Sequence, residues 1–179
     1  MQINLFTNRK TNTQSVMKAS ISLAVAAMLL TASLAVPAAA QKQVPFKGAM
    51  QGREIDTPQG GPPPTTLLVD GRTRGIATLV GQFSFTYQIT VNLASDSGIG
   101  SAQLIAANGD SIFTTIVGQG ETTDIPGVNR IVEINTITGG TGRFAGAVGS
   151  FTVERLVTLA TGFTSGSFHG TITSPGAAH

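Results

Sequence analysis

The stretch QFSFTYQITVNL, residues 82–93, alternates polar and apolar side chains at all twelve positions. One parity carries the apolar set: Phe83, Phe85, Tyr87, Ile89, Val91 and Leu93. Successive side chains on a β-strand point to opposite faces, so one face of this strand is predicted to be buried and the other wet. Burying the apolar set contributes at most about 10–15 kcal/mol gross. Because a slip of one residue would expose the whole set, the register is strongly specified.

Similar short segments, separated by Gly- and Pro-rich turns, continue on both sides of this strand, and no helical segment of ten residues follows residue 40. The stretch 72–93 is interpreted as one bent strand or two, with Gly75 and Gly81 at bends. A turn is predicted at Asp70-Gly71 before it. The pattern favours a single all-β domain, a small barrel or sandwich of eight or nine strands. The predicted strands are 44–52, 65–69, 72–93, 99–107, 111–117, 129–138, 151–159 and 163–172.

Three segments between these strands carry turn signals. Asn108-Gly109 predicts a hairpin with a type I′ turn, in which both central residues need positive φ. Residues 57–64, TPQGGPPP, predict a surface loop. Residues 139–149 contain the spacing G-x-G-x-x-A of a dinucleotide-binding loop, but the glycines that follow do not favour the helix that such a loop needs. We therefore interpret this last segment as a turn in which Phe144 plugs one end of the core and Arg143 lies over carbonyls or an acidic neighbour.

The first forty residues have the features of a secretory signal helix. Lys18 precedes an apolar run over residues 19–36, and small residues follow Pro37. Cleavage is predicted between Ala40 and Gln41, which would leave residues 41–179 as the mature domain. Met17 is an alternative start, and a retained membrane anchor is the alternative to cleavage. The leader predicts a secreted or periplasmic protein.

Charge and composition limit the partners. Cleavage would remove Arg9, Lys10 and Lys18, so 11 − 3 = 8 basic residues would face 9 acidic ones, a net charge of −1. That balance predicts neither a nucleic-acid partner nor binding to a membrane surface. The chain has no cysteine and so no disulfides. An outer-membrane barrel is a weaker alternative, because tryptophan is absent, tyrosine occurs once and the chain ends without an aromatic strand.

Few residues are suited to metal or nucleophile chemistry. The two histidines are His169, interpreted as an ordinary strand residue, and the C-terminal His179. No spacing predicts a metal site, and no nucleophile-elbow motif is present. We predict no cofactor and no catalytic residue. Arg130 shares parity with Val132 and Ile134, and Arg155 with Phe151, Val153 and Val157. For each arginine two placements are therefore predicted. It lies at the rim of the barrel with its guanidinium group in water, or it lies inside, where it needs a carboxylate or backbone carbonyls as partners.

Four stretches, in order, resemble the bacterial exported relatives of the allene oxide cyclase and dirigent barrels: GIATLVGQFS (75–84), AANGD (106–110), GGTGRFAGAVGSF (139–151) and GSFHGTI (166–172). Where similar proteins often carry a histidine and a basic residue, this chain has Leu79 and Gln82. The resemblance implies a closed antiparallel eight-stranded, calycin-like barrel without cofactor and often oligomeric, so a homo-oligomer is an expectation. The catalytic residues of the plant cyclase have no match in this chain.

Two functions remain open at this point. The first is a non-catalytic binder of a small apolar molecule, or a scaffold. The second is a cofactor-free cyclase or dirigent-like enzyme that uses Tyr87, Arg130 or Arg155 as its polar element. The binder and the enzyme require an interior cavity of about 300 Å³ or more, because a solid barrel cannot hold a ligand, whereas a packed barrel would leave only the scaffold. The predicted lining of that cavity consists of Phe83, Phe85, Tyr87, Ile89, Arg130 and Arg155.

Overall fold

The computed structural model of the protein describes residues 42–173. The predicted cleavage site at Ala40 and Gln41, and the rest of the leader, lie outside the described residues. The described part contains eight strands and one 3-10 helix, Gly142–Phe144. The strands are β1 Val44–Gln59, β2 Thr66–Ala77, β3 Gly81–Asn92, β4 Ser97–Ala106, β5 Ser111–Thr122, β6 Val128–Gly140, β7 Val148–Thr158 and β8 Phe163–Thr173.

Each strand pairs antiparallel with its neighbours in chain order, and β8 pairs with β1 to close a barrel. The prediction of a closed, eight-stranded antiparallel barrel is confirmed. Closure leaves no free sheet edge in the described barrel. Within residues 42–173, no helix is long and apolar enough to cross a membrane.

The alternating stretch that predicted the fold forms β3. Phe83, Phe85, Tyr87 and Ile89 are buried inside the barrel, and Val91 is half-buried. Leu93, which was predicted to be buried with them, follows the last residue of the strand and is 39% exposed. The alternation therefore fixes which face of β3 is inside, but it does not show where the strand leaves the core.

Aromatic side chains fill one half of the barrel. The Phe46 ring lies 5.3 Å from Phe151 and 5.0 Å from Phe168, and Phe83 lies 5.9 Å from Phe168. The adjoining layer leaves no volume that a water molecule could occupy. This half of the interior is a packed core. The side chains of that adjoining layer are Met50, Phe85, Leu104, Phe151, Val153 and Phe168.

The glycine-rich segment between β6 and β7 closes the same end. Phe144, on the 3-10 helix, is 2% exposed and belongs to the core. Arg143 donates from Nη2 to the carbonyl of Val80 at 3.3 Å and lies 3.7 Å from the carboxylate of Asp110. The interpretation of this segment as a turn with Phe144 as a plug is confirmed. Only three residues are helical, so the segment does not provide the helix that a dinucleotide-binding loop requires.

The hairpin at Asn108-Gly109 is present, but its turn is not type I′. Of the two central residues only Gly109 has positive φ, at 88°. The Asn108 side chain accepts a hydrogen bond from the Asp110 backbone N–H and donates one to the Asp110 carboxylate. These bonds stabilise a longer connection between β4 and β5.

The predicted turn at Asp70-Gly71 is wrong, because β2 runs through both residues. Gly71 pairs with Tyr87 across the β2–β3 ladder, and a Cβ atom at Gly71 would overlap the Tyr87 ring. The glycine is needed for this close approach and not for a bend. β1 is also longer than predicted and continues beyond residue 52 to Gln59, which brings Glu54 into the sheet.

We expect the aromatic half to supply much of the stability of the barrel. Phe46→Ala should lower the free energy of unfolding by about 3–5 kcal/mol, because it empties a fully buried ring site. Phe163→Ala is the matched control, since Phe163 is 41% exposed on the outer face and its loss should change stability by less than about 1 kcal/mol. Equilibrium denaturation of both variants checks this. Equal losses in the two variants would contradict it.

Candidate functional site

The middle of the sixth strand, β6, buries two polar side chains and exposes an apolar one. Glu133 and Asn135 face the interior and are at most 2% exposed, whereas Ile134 is 56% exposed on the outside. Of the two placements predicted for Arg130, the interior one is therefore wrong, because the parity that it shares with Ile134 faces outward. The neighbouring strand supplies the reason. Ile131 of β6 pairs with Arg155 of β7, which places Glu133 diagonally next to this buried arginine.

Arg155 lies between two carboxylates inside the barrel. Its Nη1 donates to Glu54 Oε2 at 2.6 Å, and its Nη2 donates to Glu133 Oε1 at 2.8 Å. A longer bond joins its Nε to Glu133 Oε2, and Nη1 also donates to the Thr164 hydroxyl at 3.2 Å. The Tyr87 hydroxyl donates to the same Glu54 oxygen at 2.7 Å. Four strands thus contribute charged or phenolic groups to one buried polar layer. We call Glu54, Glu133 and Arg155 the buried triad.

The triad carries one positive charge against two negative charges. Burial raises the pKa of the Glu54 carboxyl above its usual value, against the opposing effects of the Arg155 charge and the Tyr87 hydrogen bond. Burial also raises the pKa of Asp56, which lies nearer the opening. For Arg155, burial alone would lower the pKa, but the charges of Glu133 and Glu54 raise it above the ordinary range, so the guanidinium stays protonated. Burial raises the pKa of Tyr87 in turn, and its hydroxyl remains a donor.

A cavity of about 180 Å³ lies above the triad, at the end of the barrel opposite the aromatic core. The triad forms its floor. Its rim carries three further acidic residues, Asp56, Asp96 and Glu121. Its walls are apolar and come mainly from Leu67, Val69, Ile89, Val91, Ile131, Val157 and Leu159.

The predicted lining residues divide into three groups. Ile89 and Arg155 line this cavity, and Tyr87 holds its floor from below. Phe83 and Phe85 belong to the buried core and not to the cavity wall. Arg130 lies outside, where it binds Glu121 and Glu154 at 3.3 and 2.9 Å. Its predicted place in the lining is wrong, because β6 turns the other parity inward.

Two members of the triad were missed from the sequence. No prediction places Glu133 inside the barrel, and the first predicted strand ends at residue 52, before Glu54. A signal for Glu54 was present, because Phe46, Met50 and Glu54 share one parity along β1. No comparable signal in β6 identifies its inward face, since both parities contain apolar residues.

The cavity is smaller than the 300 Å³ that the sequence-based hypotheses required. Its volume equals that of about six water molecules in the liquid. It can hold one small group, or one end of a longer molecule that continues into solvent through the open mouth. Among residues 42–173, no three His, Asp or Glu side chains are grouped so that they could hold a metal ion.

Removing Arg155 should strongly destabilise the protein. Arg155→Met would leave Glu54 and Glu133 as buried carboxylates without a cation, which costs about 3–5 kcal/mol. Adding Glu54→Gln and Glu133→Gln should recover part of the loss, because no buried charge then remains. Arg130→Met, which removes an exposed ion pair, should change stability little. Urea denaturation of the three variants checks this, and a mild effect of Arg155→Met alone would contradict the buried triad.

The raised pKa of Glu54 predicts a pH dependence with a definite sign. The folded state binds the Glu54 proton more tightly than the unfolded state, so stability from this group is complete below the ordinary pKa of 4.5 and is lost as pH rises through the folded value. Glu54→Gln should remove that loss. The thermal midpoint of the variant relative to wild type should therefore increase between pH 4 and pH 7. A difference that stays constant or decreases over this range would contradict the shift.

Comparison with known proteins supports the architecture. The sequence matches no protein-family model and no curated protein. A solved structure, that of the pterocarpan synthase dirigent protein GePTS1, is similar over 75% of this chain and 89% of its own, with a TM-score of 0.50 and 14% sequence identity. At that identity the likeness concerns the fold alone. The chain has a dirigent-like β-barrel fold.

Proposed function

We propose that this protein binds a small molecule in the mouth of its barrel and does not transform it. The observation that carries the proposal is the cavity itself, with apolar walls above a charged floor whose hydrogen bonds are already made. Binding pockets are commonly concave and apolar with a few placed polar groups. The dirigent-like fold supports a barrel that holds a ligand.

The charged residues around the cavity limit the kinds of ligand that can bind there. Five acidic residues line or rim the cavity, and the only basic residue of its lining is Arg155, which is already paired with two of the five. An anionic ligand would meet net repulsion there. A ligand with an apolar body and a cationic or hydrogen-bond-donating head would instead find the rim carboxylates of Asp56 and Asp96, which form no ion pair within residues 42–173, whereas Glu121 is paired with Arg130. We therefore propose a small amphiphilic amine, which is more polar than the apolar molecule expected from the sequence.

The saturation of the triad favours binding over catalysis. Arg155 donates four hydrogen bonds to Glu54, Glu133 and Thr164, and the Tyr87 hydroxyl donates to Glu54. Groups that are already paired in this way are costly to redirect toward a reacting substrate. The polar layer is better explained as a rigid floor than as a set of reactive groups.

One observation favours the enzymatic alternative, a cofactor-free cyclase or dirigent-like reaction. Glu54 lies at the cavity floor and has a raised pKa, as a carboxyl that donates a proton near neutral pH requires. In that case Glu54→Gln should abolish conversion in a screen of apolar polyene and phenolic substrates, and Arg130→Ala should retain it. Loss of conversion in Arg130→Ala, which lies outside the barrel, would exclude the cavity as the reaction site.

The proposed setting is outside the cytoplasm, in the periplasm or medium, and the proposed relatives are the bacterial exported proteins that the four sequence stretches resemble. The support is the basic, apolar and small-residue pattern of residues 1–40. N-terminal sequencing of protein from the exported fraction tests it. A first residue of Gln41 is expected, and a chain that still begins at Met1 or Met17 would contradict cleavage.

The binding proposal predicts an order of affinities among three ligands and the position of the binding site. 2-Phenylethylamine should bind more tightly than 2-phenylethanol, and 3-phenylpropanoate least, because only the amine complements the acidic rim. Amide chemical-shift changes in the ¹⁵N-labelled protein should centre on the cavity walls. Val91→Phe, which fills the mouth, should weaken amine binding at least tenfold.

Thr90→Phe is the matched control, since Thr90 is the neighbouring residue on β3 and faces outward. It should leave the amine affinity unchanged. Shifts that centre outside the mouth, or equal affinity for amine and carboxylate, would overturn the proposal.

A further inference from the structure

The outer face of β1 and β2 carries three arginines that form no ion pair with any carboxylate in the described part of the chain. Arg53 and Arg72 are direct cross-strand partners, and Arg74 follows two residues later on the same face, opposite Gln51. All three side chains are exposed. We call them the arginine patch.

The other arginines of the described chain form ion pairs. Arg130, Arg143 and Arg155 each lie within 4 Å of at least one carboxylate. Within residues 42–173, no carboxylate lies that close to any arginine of the patch. Arg53 donates to the Thr161 carbonyl at 2.9 Å, and the nearby Asp70 accepts from Gln88 instead.

The pairing of Arg53 with Arg72 destabilises the folded state. Side chains that are directly opposite in an antiparallel pair have Cβ atoms about 5 Å apart, and like charges at that distance are destabilising. The Arg53–Arg72 pair therefore has no structural explanation of the kind that applies to Arg155. A bound anion would turn the repulsion into attraction.

Two open grooves lie along the patch. One, of about 920 Å³, is lined by residues of β1 to β6, and the other, of about 940 Å³, by residues of β1 to β3 and of β8. Arg53 and Arg72 line both. The remaining outward lining combines hydroxyl and amide side chains with exposed apolar ones and one carboxylate. The hydroxyl and amide side chains include Gln51, Ser84, Thr86, Gln88, Ser101 and Gln103, the apolar ones are Ile55, Ile76, Phe113 and Phe163, and the carboxylate is Asp70. The surface is thus long and open, with positive charge at its centre and both polar and apolar groups around it.

We propose that the arginine patch and its two grooves bind an anionic polysaccharide, a polymer of uronate or sulfated sugars. The guanidinium groups pair with the carboxylates or sulfates, and the flanking hydroxyl and amide groups hydrogen-bond the sugar hydroxyls. A lipid surface fits less well, because lipid recognition uses clusters of about four to eight basic residues. A single-stranded nucleic acid needs a row of aromatic stacking platforms, whereas each groove has one exposed ring, Phe113 in the first and Phe163 in the second. The site is separate from the cavity at the mouth and does not rest on the function proposed for it.

The test measures binding of the whole protein to polygalacturonate, with dextran as the neutral polymer and vesicles containing phosphatidylglycerol as the anionic lipid surface. Wild type should bind polygalacturonate, with affinity that falls as salt rises, and should bind dextran and vesicles weakly. Each Arg→Gln change in the patch should weaken binding about fivefold, and Arg53→Gln/Arg72→Gln/Arg74→Gln together about a hundredfold.

Lys42→Gln/Lys47→Gln/Arg130→Gln is the charge-matched control, because it removes three exposed positive charges elsewhere. It should bind polygalacturonate within about twofold of wild type if the patch and not the net charge is recognised. Arg72→Gln alone should leave the thermal midpoint unchanged or raise it, because it relieves a like-charge pair. Full affinity in the triple patch variant, equal losses in the control, or tighter binding to vesicles than to polygalacturonate would each overturn the proposal.

Discussion

The ion pairs of Arg155 with Glu54 and Glu133 are the constraint on which the rest of the interior depends. A guanidinium that is 4% exposed needs carboxylates beside it, since breaking a buried ion pair costs about 3–5 kcal/mol, a large share of the stability of a small domain. That requirement explains why β6 turns Glu133 inward and leaves Ile134 in solvent. It also explains why β1 continues past its apolar residues to Glu54. The triad ties together β1, β6 and β7, which are not all neighbours in the sheet.

The triad also divides the barrel into two functional halves. On one side, the rings of Phe46, Phe83, Phe151 and Phe168 leave no room for a ligand. On the other side, the walls separate into a cavity that opens to solvent. An eight-stranded barrel is just wide enough to be filled by side chains or to enclose a small cavity, and this barrel is filled at one end and has a cavity at the other. The close packing of the filled half keeps that half rigid. This rigidity holds the buried triad in place as the floor of the cavity.

Arginine has two contrasting environments in this molecule. Inside, Arg155 uses its planar donors to join two carboxylates and is fixed by them. Outside, Arg53 and Arg72 face each other across a strand pair, and within residues 42–173 no carboxylate lies within 4 Å of either. Net charge conceals the difference, because the 8 basic and 9 acidic residues nearly cancel over the described chain. A nearly neutral protein can therefore present both an acidic mouth and a basic outer face.

The sequence alone determined that the protein is built of short antiparallel strands, that alternate residues from Phe83 to Ile89 face inward and that the segment around Phe144 closes one end. These conclusions follow from local rules, since alternation has period two and glycine-rich segments make turns. The choice of a closed barrel over a sandwich came from the resemblance to the dirigent-like barrels and not from these rules. Only the tertiary structure decided where the cavity lies and which charges line it. The inward face of β6 depends on Arg155 of another strand, and the partner of Arg155 on β1 is 101 residues away along the chain. No local pattern encodes such a distance, because the pairing exists only once the barrel closes and β8 brings β1 and β7 to either side of itself.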